Sequence, residues 1–257
     1  MNKSRPIFSR LLLGGFFSAS LLACRPERKP AETTASPATT AKPTAPISPS
    51  APGKADAAEQ SLRKAGLVDV QTLDSAILVD LKYSTTDNFV GVDVYGDLTR
   101  AYLQEAPARK LIKAQQLLVE SRPGYRLLIY DAARSRRVQQ ILWDTLKKPI
   151  RLKPLYVADP KEGSIHNYGA AVDLTIADES GQPLDMGTSF DFFGELAYPT
   201  KEDSLVKLGK LTPRQITNRK TLRAVMRRAG FTPIDSEWWH FNAMSLEQCK
   251  QEYGIIE

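Results

Sequence analysis

The chain contains only two histidines, and each stands close to an acid. His166 lies in Ser164-Ile165-His166-Asn167-Tyr168-Gly169, just ahead of Ala170-Ala171-Val172-Asp173-Leu174-Thr175-Ile176. The second stretch alternates as a strand does, so Val172, Leu174 and Ile176 are expected on the core face. Asp173 then shares the opposite, polar face with Ala171 and Thr175. Gly169 can bend the chain sharply enough to bring His166 over that face. An imidazole and a carboxylate meeting there suit zinc, which takes nitrogen and oxygen donors. Ser236-Glu237-Trp238-Trp239-His240-Phe241 adds a third donor, His240, and another acid, Glu237. Three protein ligands and one open position make a catalytic metal site. Glu237 is then the base that takes a proton from water at the metal. Residues i and i+3 of a regular strand face opposite ways, so a bulge or turn is needed to aim Glu237 and His240 together. The plainer alternative is that the two histidines pack or cap something.

The pattern S-x-H-x-x-G-x-A-x-D followed by E-x-W-H resembles the zinc D-alanyl-D-alanine dipeptidases, relatives of the zinc D,D-carboxypeptidases. Three other segments are similar to that family: Asp80-Leu81-Lys82-Tyr83-Ser84-Thr85-Thr86-Asp87-Asn88-Phe89-Val90-Gly91, Leu127-Leu128-Ile129-Tyr130-Asp131-Ala132-Ala133-Arg134, and Met186-Gly187-Thr188-Ser189-Phe190-Asp191. Ala133 and Ser135 depart from it, standing where the family usually has tyrosine and proline. The resemblance implies one zinc ion on His166, Asp173 and His240, with Glu237 as base. It also picks Arg134, at the end of a buried strand, as the cation that stabilises the oxyanion of peptide hydrolysis. From the residues alone, Arg136 and Arg137 compete with it. A dipeptidase must recognise a free ammonium, which wants a carboxylate and hydroxyl acceptors. By resemblance Asp191 and Ser164 supply them, where Asp185 or Glu195 would otherwise compete, and Tyr83, Asp87 and Asn88 line the substrate pocket. The implied activity is hydrolysis of D-alanyl-D-alanine to two D-alanines. A peptidoglycan D,D-carboxypeptidase is the alternative of like chemistry. A non-catalytic peptidoglycan-binding lipoprotein is the alternative of another class.

The formal charge is +6, and Lys3, Arg5 and Arg10 of an acid-free leader account for half of it. The remainder is too mildly basic for nucleic acid, and no basic stripe with interleaved aromatics appears. Residues 1–23 read as a lipoprotein signal peptide. Their apolar part, residues 11–23, is shorter than the ~20 residues a spanning helix needs. Leu21-Leu22-Ala23-Cys24 resembles the bacterial lipobox, which makes Cys24 the expected lipidation site and membrane anchor. A plain signal peptide with an incidental cysteine is the alternative. Arg25 in place of aspartate points to an exported protein on the outer membrane, facing the periplasm. Residues 24–58 form a Pro/Ala/Thr-rich linker, with seven of the seventeen prolines between Pro26 and Pro52. Such a segment cannot bury apolar surface and is expected to be disordered. With Cys24 acylated, Cys249 has no disulfide partner and is expected as a structural or surface thiol.

Residues 59–257 are the expected catalytic domain. Ala76-Ile77-Leu78-Val79 and the apolar run 125–130 read as strands, the latter central. Pro107 opens a helix with Leu111, Ala114 and Leu118 on one face. Val138, Ile141, Leu142, Thr145 and Leu146 repeat at helical spacing. Pro213 opens another helix, with Leu222, Val225, Met226 and Ala229 as its stripe and Gly230 as its stop. A last strand is expected to hold Glu237 and His240. Strands and helices alternate irregularly, with no internal repeat and no Gly-rich phosphate loop. The expectation is an α+β fold: a single zinc-peptidase domain with a central, mainly antiparallel sheet flanked by helices.

Overall fold

The computed structural model describes residues 57–257. The expected signal peptide, Cys24 and nearly all of the linker fall outside the described residues. In chain order the elements are α1 (Ala57–Lys64), β1 (Val68–Asp69), α2 (Val70–Leu73), β2 (Leu78–Val79), β3 (Tyr102–Leu103), α3 (Glu105–Ser121), β4 (Arg126–Asp131), α4 (Arg136–Thr145), β5 (Ala171–Ala177), α5 (Glu202–Lys207), α6 (Pro213–Arg228), β6 (Thr232–Pro233), β7 (His240–Asn242) and α7 (Leu246–Glu252).

The main sheet has the order β2-β4-β5-β7-β6, and only its β2–β4 pair is parallel. A separate antiparallel pair joins β1 to β3. Strands β4 and β5 form the middle because their sequences, Arg-Leu-Leu-Ile-Tyr-Asp and Ala-Val-Asp-Leu-Thr-Ile-Ala, are rich in branched and aromatic residues that fit a covered, pleated surface. Val172, Leu174 and Ile176 are fully buried, as alternation predicts. The opposite face is not an open polar one, however: Ala171, Asp173 and Thr175 are buried too. Both α6 and the turn at residues 165–168 pack against β5, so this antiparallel strand is covered like a parallel one.

Helix α3 carries Pro107 in its first turn and buries Leu111, Ala114 and Leu118 against β4 and α6. Truncating one of those leucines to alanine should cost ~2–5 kcal/mol, as core deletions do. Gln115 on the same helix accepts from the Leu127 N–H at 2.7 Å, which pins α3 to the start of β4. Helix α4 is capped by Ser135, whose hydroxyl accepts from the Val138 N–H. Helix α6 starts with a capping box between Thr212 and Gln215 around Pro213 and ends ahead of Gly230. Cys249 is a buried free thiol on α7.

Two expectations about strands need correction. The apolar run 76–79 is a strand only at Leu78–Val79. Strand β7 begins at His240, so Glu237 is not on it but in the bend that precedes it. The turn there, rather than a bulge in the last strand, re-aims Glu237. The irregularity in the sheet falls instead in β4, between Ile129 and Asp131.

Candidate active site

Strand register assembles the centre of the site. Asp131 on β4 pairs with Asp173 on β5, and Asp173 pairs with His240 on β7. Side chains of directly opposed residues stand on one face of a sheet, so these three project together from adjacent strands. His166 joins them from the short helical turn Ile165–Tyr168. Ser164 caps that turn by accepting from the His166 N–H, and the Asn167 side chain reaches back to the Ser164 N–H at 2.7 Å. Gly169 closes the turn at φ 67°, in the left-handed region that favours glycine.

His166 Nδ1 lies 2.7 Å from the carbonyl oxygen of Ala132, which can only accept, so Nδ1 carries the proton. Its Nε2 is left with a lone pair. His240 Nε2 lies 2.7 Å from Asn242 Oδ1, which turns the lone pair of His240 Nδ1 the other way. These two lone-pair nitrogens face each other at 3.2 Å, and His240 Nδ1 is 2.9 Å from Asp173 Oδ1. His166 Nε2 is 3.5 Å from the same oxygen. Three acceptors converging in a buried corner repel one another unless a cation joins them. Four donors at the ~2.0–2.1 Å of a tetrahedral zinc site stand ~3.3 Å apart, close to the spacing found. The donor set therefore fits a zinc-like ion. Without such an ion a positive charge on His166 and His240 does the same: it outweighs the effect of burial and holds the Asp173 carboxyl well below its ordinary range.

These donors line a cavity of about 260 Å³ that also contains Tyr83, Arg134, Ser164, Asp191 and Glu237. The residues that chemistry and the family resemblance together point to thus line one cleft, apart from two expected pocket walls. Asp87 is exposed and bonds Lys82, while the Asn88 amide caps the carbonyls of Lys82, Thr85 and Val92. Both shape the turn that presents Tyr83 and do not line the cavity. Of the competing acids, Asp185 caps the Gly187 N–H, and Glu195 is an exposed neighbour of Lys201. Of the competing arginines, Arg136 bonds Glu257 at the surface.

Arg134 is held before any ligand arrives. Its Nε and Nη2 donate to Asp131, and its Nη1 donates to Gln139 Oε1 at 2.9 Å. Its guanidinium carbon sits 5.3 Å from the centroid of the Tyr83 ring. Burial works against the charge, but Asp131 outweighs it and keeps Arg134 firmly protonated. Asp131, Gln139 and Asn242 were not singled out from the sequence. The available signals are an acid closing an otherwise apolar strand (Asp131) and a polar residue two positions beyond His240, on the same strand face (Asn242).

Two carboxyls in the cavity make no ion pair among the described residues. Asp191 accepts a hydrogen bond from the Tyr83 hydroxyl at 2.9 Å. Burial pushes it up to about 8 against the pull of that bond. Glu237 is likewise pushed up to about 8 by burial, with His240 lowering it and Asp173 and Asp191 raising it. Such carboxyls become anions when a cation enters beside them.

Convergent metal donors, a clamped arginine and two carboxyls poised near neutrality define a metallopeptidase centre. The chain belongs to the Peptidase M15 family, described as D-ala-D-ala dipeptidase, which matches residues 63–253. The D-alanyl-D-alanine dipeptidase of Escherichia coli (strain K12) is 35% identical over 175 residues, covering 68% of this chain and 83% of that protein. The D-alanyl-D-alanine dipeptidase of Enterococcus faecium is 28% identical over 180 residues, 63% of this chain and 83% of its own. That of Enterococcus faecalis (strain ATCC 700802 / V583) is 28% identical over 177 residues, with the same coverage. Among solved structures, an LD-carboxypeptidase aligns over 58% of this chain and 63% of its own at 20% identity and a TM-score of 0.36, too slight a likeness to carry weight.

Proposed function

We propose that this protein is a zinc-dependent D-alanyl-D-alanine dipeptidase that releases two D-alanines. Asp191 is the observation that carries the reading. It is a half-buried carboxyl outside any ion pair among the described residues, in the same cavity as His166, Asp173 and His240. A carboxyl so placed wants a cation from the ligand. A dipeptide offers one in its free amino terminus, whereas the acylated stem that a carboxypeptidase trims does not. The cavity of about 260 Å³ lies below the ~300–1,000 Å³ of drug-sized sites, which suits a substrate of two small residues. The names of the relatives agree.

In this reading His166, Asp173 and His240 hold the zinc, which when bound supplies Lewis acidity and makes water acidic enough to attack near neutral pH. Asp191 and Ser164 take the ammonium, and the Tyr83 hydroxyl orients Asp191. Glu237 accepts a proton from the attacking water and returns it to the departing amide nitrogen. Arg134 faces the carbonyl oxygen as charge builds on it. Clamped by Asp131 and Gln139, it needs no rearrangement to do so.

The test is a direct comparison of free D-Ala-D-Ala with its N-acetylated form on zinc-loaded protein. Preference for the free dipeptide, lost in Asp191→Asn, is the expected result. Preference for the acetylated form would make the protein a carboxypeptidase. Binding of peptidoglycan without hydrolysis of either compound would make it a tether. We infer further that the chain is exported and lipid-anchored through Cys24 on the outer membrane, facing the periplasm, so that its dipeptide is wall-derived. The charged leader and Leu21-Leu22-Ala23-Cys24 support this.

A further inference from the structure

Arg219 occupies a position that helical periodicity reserves for an apolar residue. On α6 it shares the buried stripe with Ile216, Leu222, Val225 and Met226 and is only 1% exposed. Burial pushes its guanidinium down to about 10, against the help of Glu202. That help is partial, since Glu202 lies 3.8 Å from Arg219 Nη1 and is engaged by Arg223 at 2.6 Å. Arg219 Nη1 has no hydrogen-bond partner among the described residues. A methionine or leucine would fill the stripe without these penalties. The charge therefore answers to something other than packing.

Its contacts show what. Arg219 Nε donates to the Met186 carbonyl at 2.6 Å, and Nη2 donates to the Leu196 carbonyl at 2.9 Å. One planar fork thus closes both ends of the loop 186–196. Asp191 lies within that loop at φ 57°, a left-handed conformation that a non-glycine residue holds only when its surroundings impose it. The same guanidinium lies 5.7 Å from the ring centroid of Trp238, the neighbour of Glu237 in sequence. Trp238 in turn donates from Nε1 to Thr188 Oγ1 at 2.7 Å, back into the loop. Loop, indole and helix form one closed circuit around Arg219, with Asp191 on one arm and Glu237 on the other.

We propose that Arg219 is a positioning residue for this enzyme: by clamping the loop 186–196 and the Trp238 indole, it sets Asp191 for the ammonium and Glu237 for proton transfer. The inference rests on the roles given to those two residues above. Arg219→Lys tests it, because lysine keeps a charge but its single nitrogen cannot bridge two carbonyls as the fork does. On zinc-loaded full-length protein, kcat/KM for D-Ala-D-Ala should fall roughly 10–100-fold, the scale of a small misplacement of reacting groups. The loss should divide between a higher KM and a lower kcat, and preference for the free over the N-acetylated dipeptide should shrink. In an Asp191→Asn background the added effect of Arg219→Lys on that preference should disappear, since residues acting through one another are non-additive.

A purely structural role would lower the melting temperature while leaving KM and the preference of metal-loaded protein unchanged, and that outcome overturns the proposal. Should Arg219→Lys not fold, Thr188→Val cuts only the link from Trp238 to the loop. A lower kcat at unchanged metal content supports the circuit, and wild-type kcat refutes it. Inactivity of the wild-type enzyme on D-Ala-D-Ala would instead refute the dipeptidase reading, so the two failures are distinguishable.

Discussion

Replacing Gly169 by alanine should loosen the metal site through the backbone, without touching a ligand. Gly169 sits at φ 67°, where an L side chain costs ~1–2 kcal/mol. A β-carbon there would also lie 2.7 Å from Leu67 Cδ2 and 3.3 Å from the Gln104 nitrogen, whose N–H bonds the Gly169 carbonyl at 2.9 Å. Leu67 is buried and Gln104 is held by that bond, so relief of the clash moves the turn. Overpacking of this kind typically adds ~1–3 kcal/mol. Gly209 is the matched control: it has the same φ of 67°, and a β-carbon there meets nothing within 4 Å among the described residues. Gly209→Ala should therefore show the backbone penalty alone. At ~2–4 °C per kcal/mol for a domain of this size, Gly169→Ala should melt roughly 2–12 °C below Gly209→Ala. The Gly169 N–H bonds the His166 carbonyl, and Ala170 bonds Ile165, so the shift should reach His166 and weaken zinc binding as well. Thermal melts of the metal-free proteins and a zinc titration read both effects. Equal melting points for the two variants, with zinc affinity unchanged in Gly169→Ala, would refute the argument.

Glu237→Gln should retain zinc and lose ~10²–10⁴ in kcat, the usual weight of a general base, whereas His240→Ala should lose metal and activity together; elemental analysis beside kinetics separates the cases. Stability of the metal-free protein should fall as pH rises. Asp191 and Glu237, ordinarily near 3.8 and 4.5, are both pushed up to about 8, so folding takes up protons between those values. Their stabilising effect is complete below the ordinary values and is lost as pH passes about 8; a melting point that rises across this window would contradict the assignment. Cys24→Ala should move the full-length protein from the membrane to the soluble fraction on cell fractionation, and an unchanged distribution would remove the lipid anchor.

How the site came to be legible differs from residue to residue. His166, Asp173, Glu237 and His240 could be picked out because metal chemistry needs particular side chains, and with two histidines in the chain there was little to choose among. Helices α3, α4 and α6 and strands β4 and β5 were equally readable, since period and capping are local properties of sequence. Arg134 could not be told from Arg136 by local signals, because the two differ only in which side of the α4 cap their backbones leave from. Asp87 and Asn88 are expected beside Tyr83 as pocket walls, yet they spend their polar groups on the turn itself. Asp131, Gln139 and Arg219 were missed for a common reason. Each is a polar residue inside an apolar pattern: Asp131 and Gln139 take their value from clamping the nearby Arg134, and Arg219 from carbonyls on a remote loop. Register decides the rest: Asp131, Asp173 and His240 meet because β4, β5 and β7 align at those rungs. A one-residue slip would send Asp173 or His240 to the other face of the sheet. The sequence by itself determined which side chains can bind a metal and move a proton, because that is a matter of functional groups. Only the tertiary structure decided which backbone carbonyls and carboxylates aim them, because those partners are chosen by long-range pairing that no local pattern encodes.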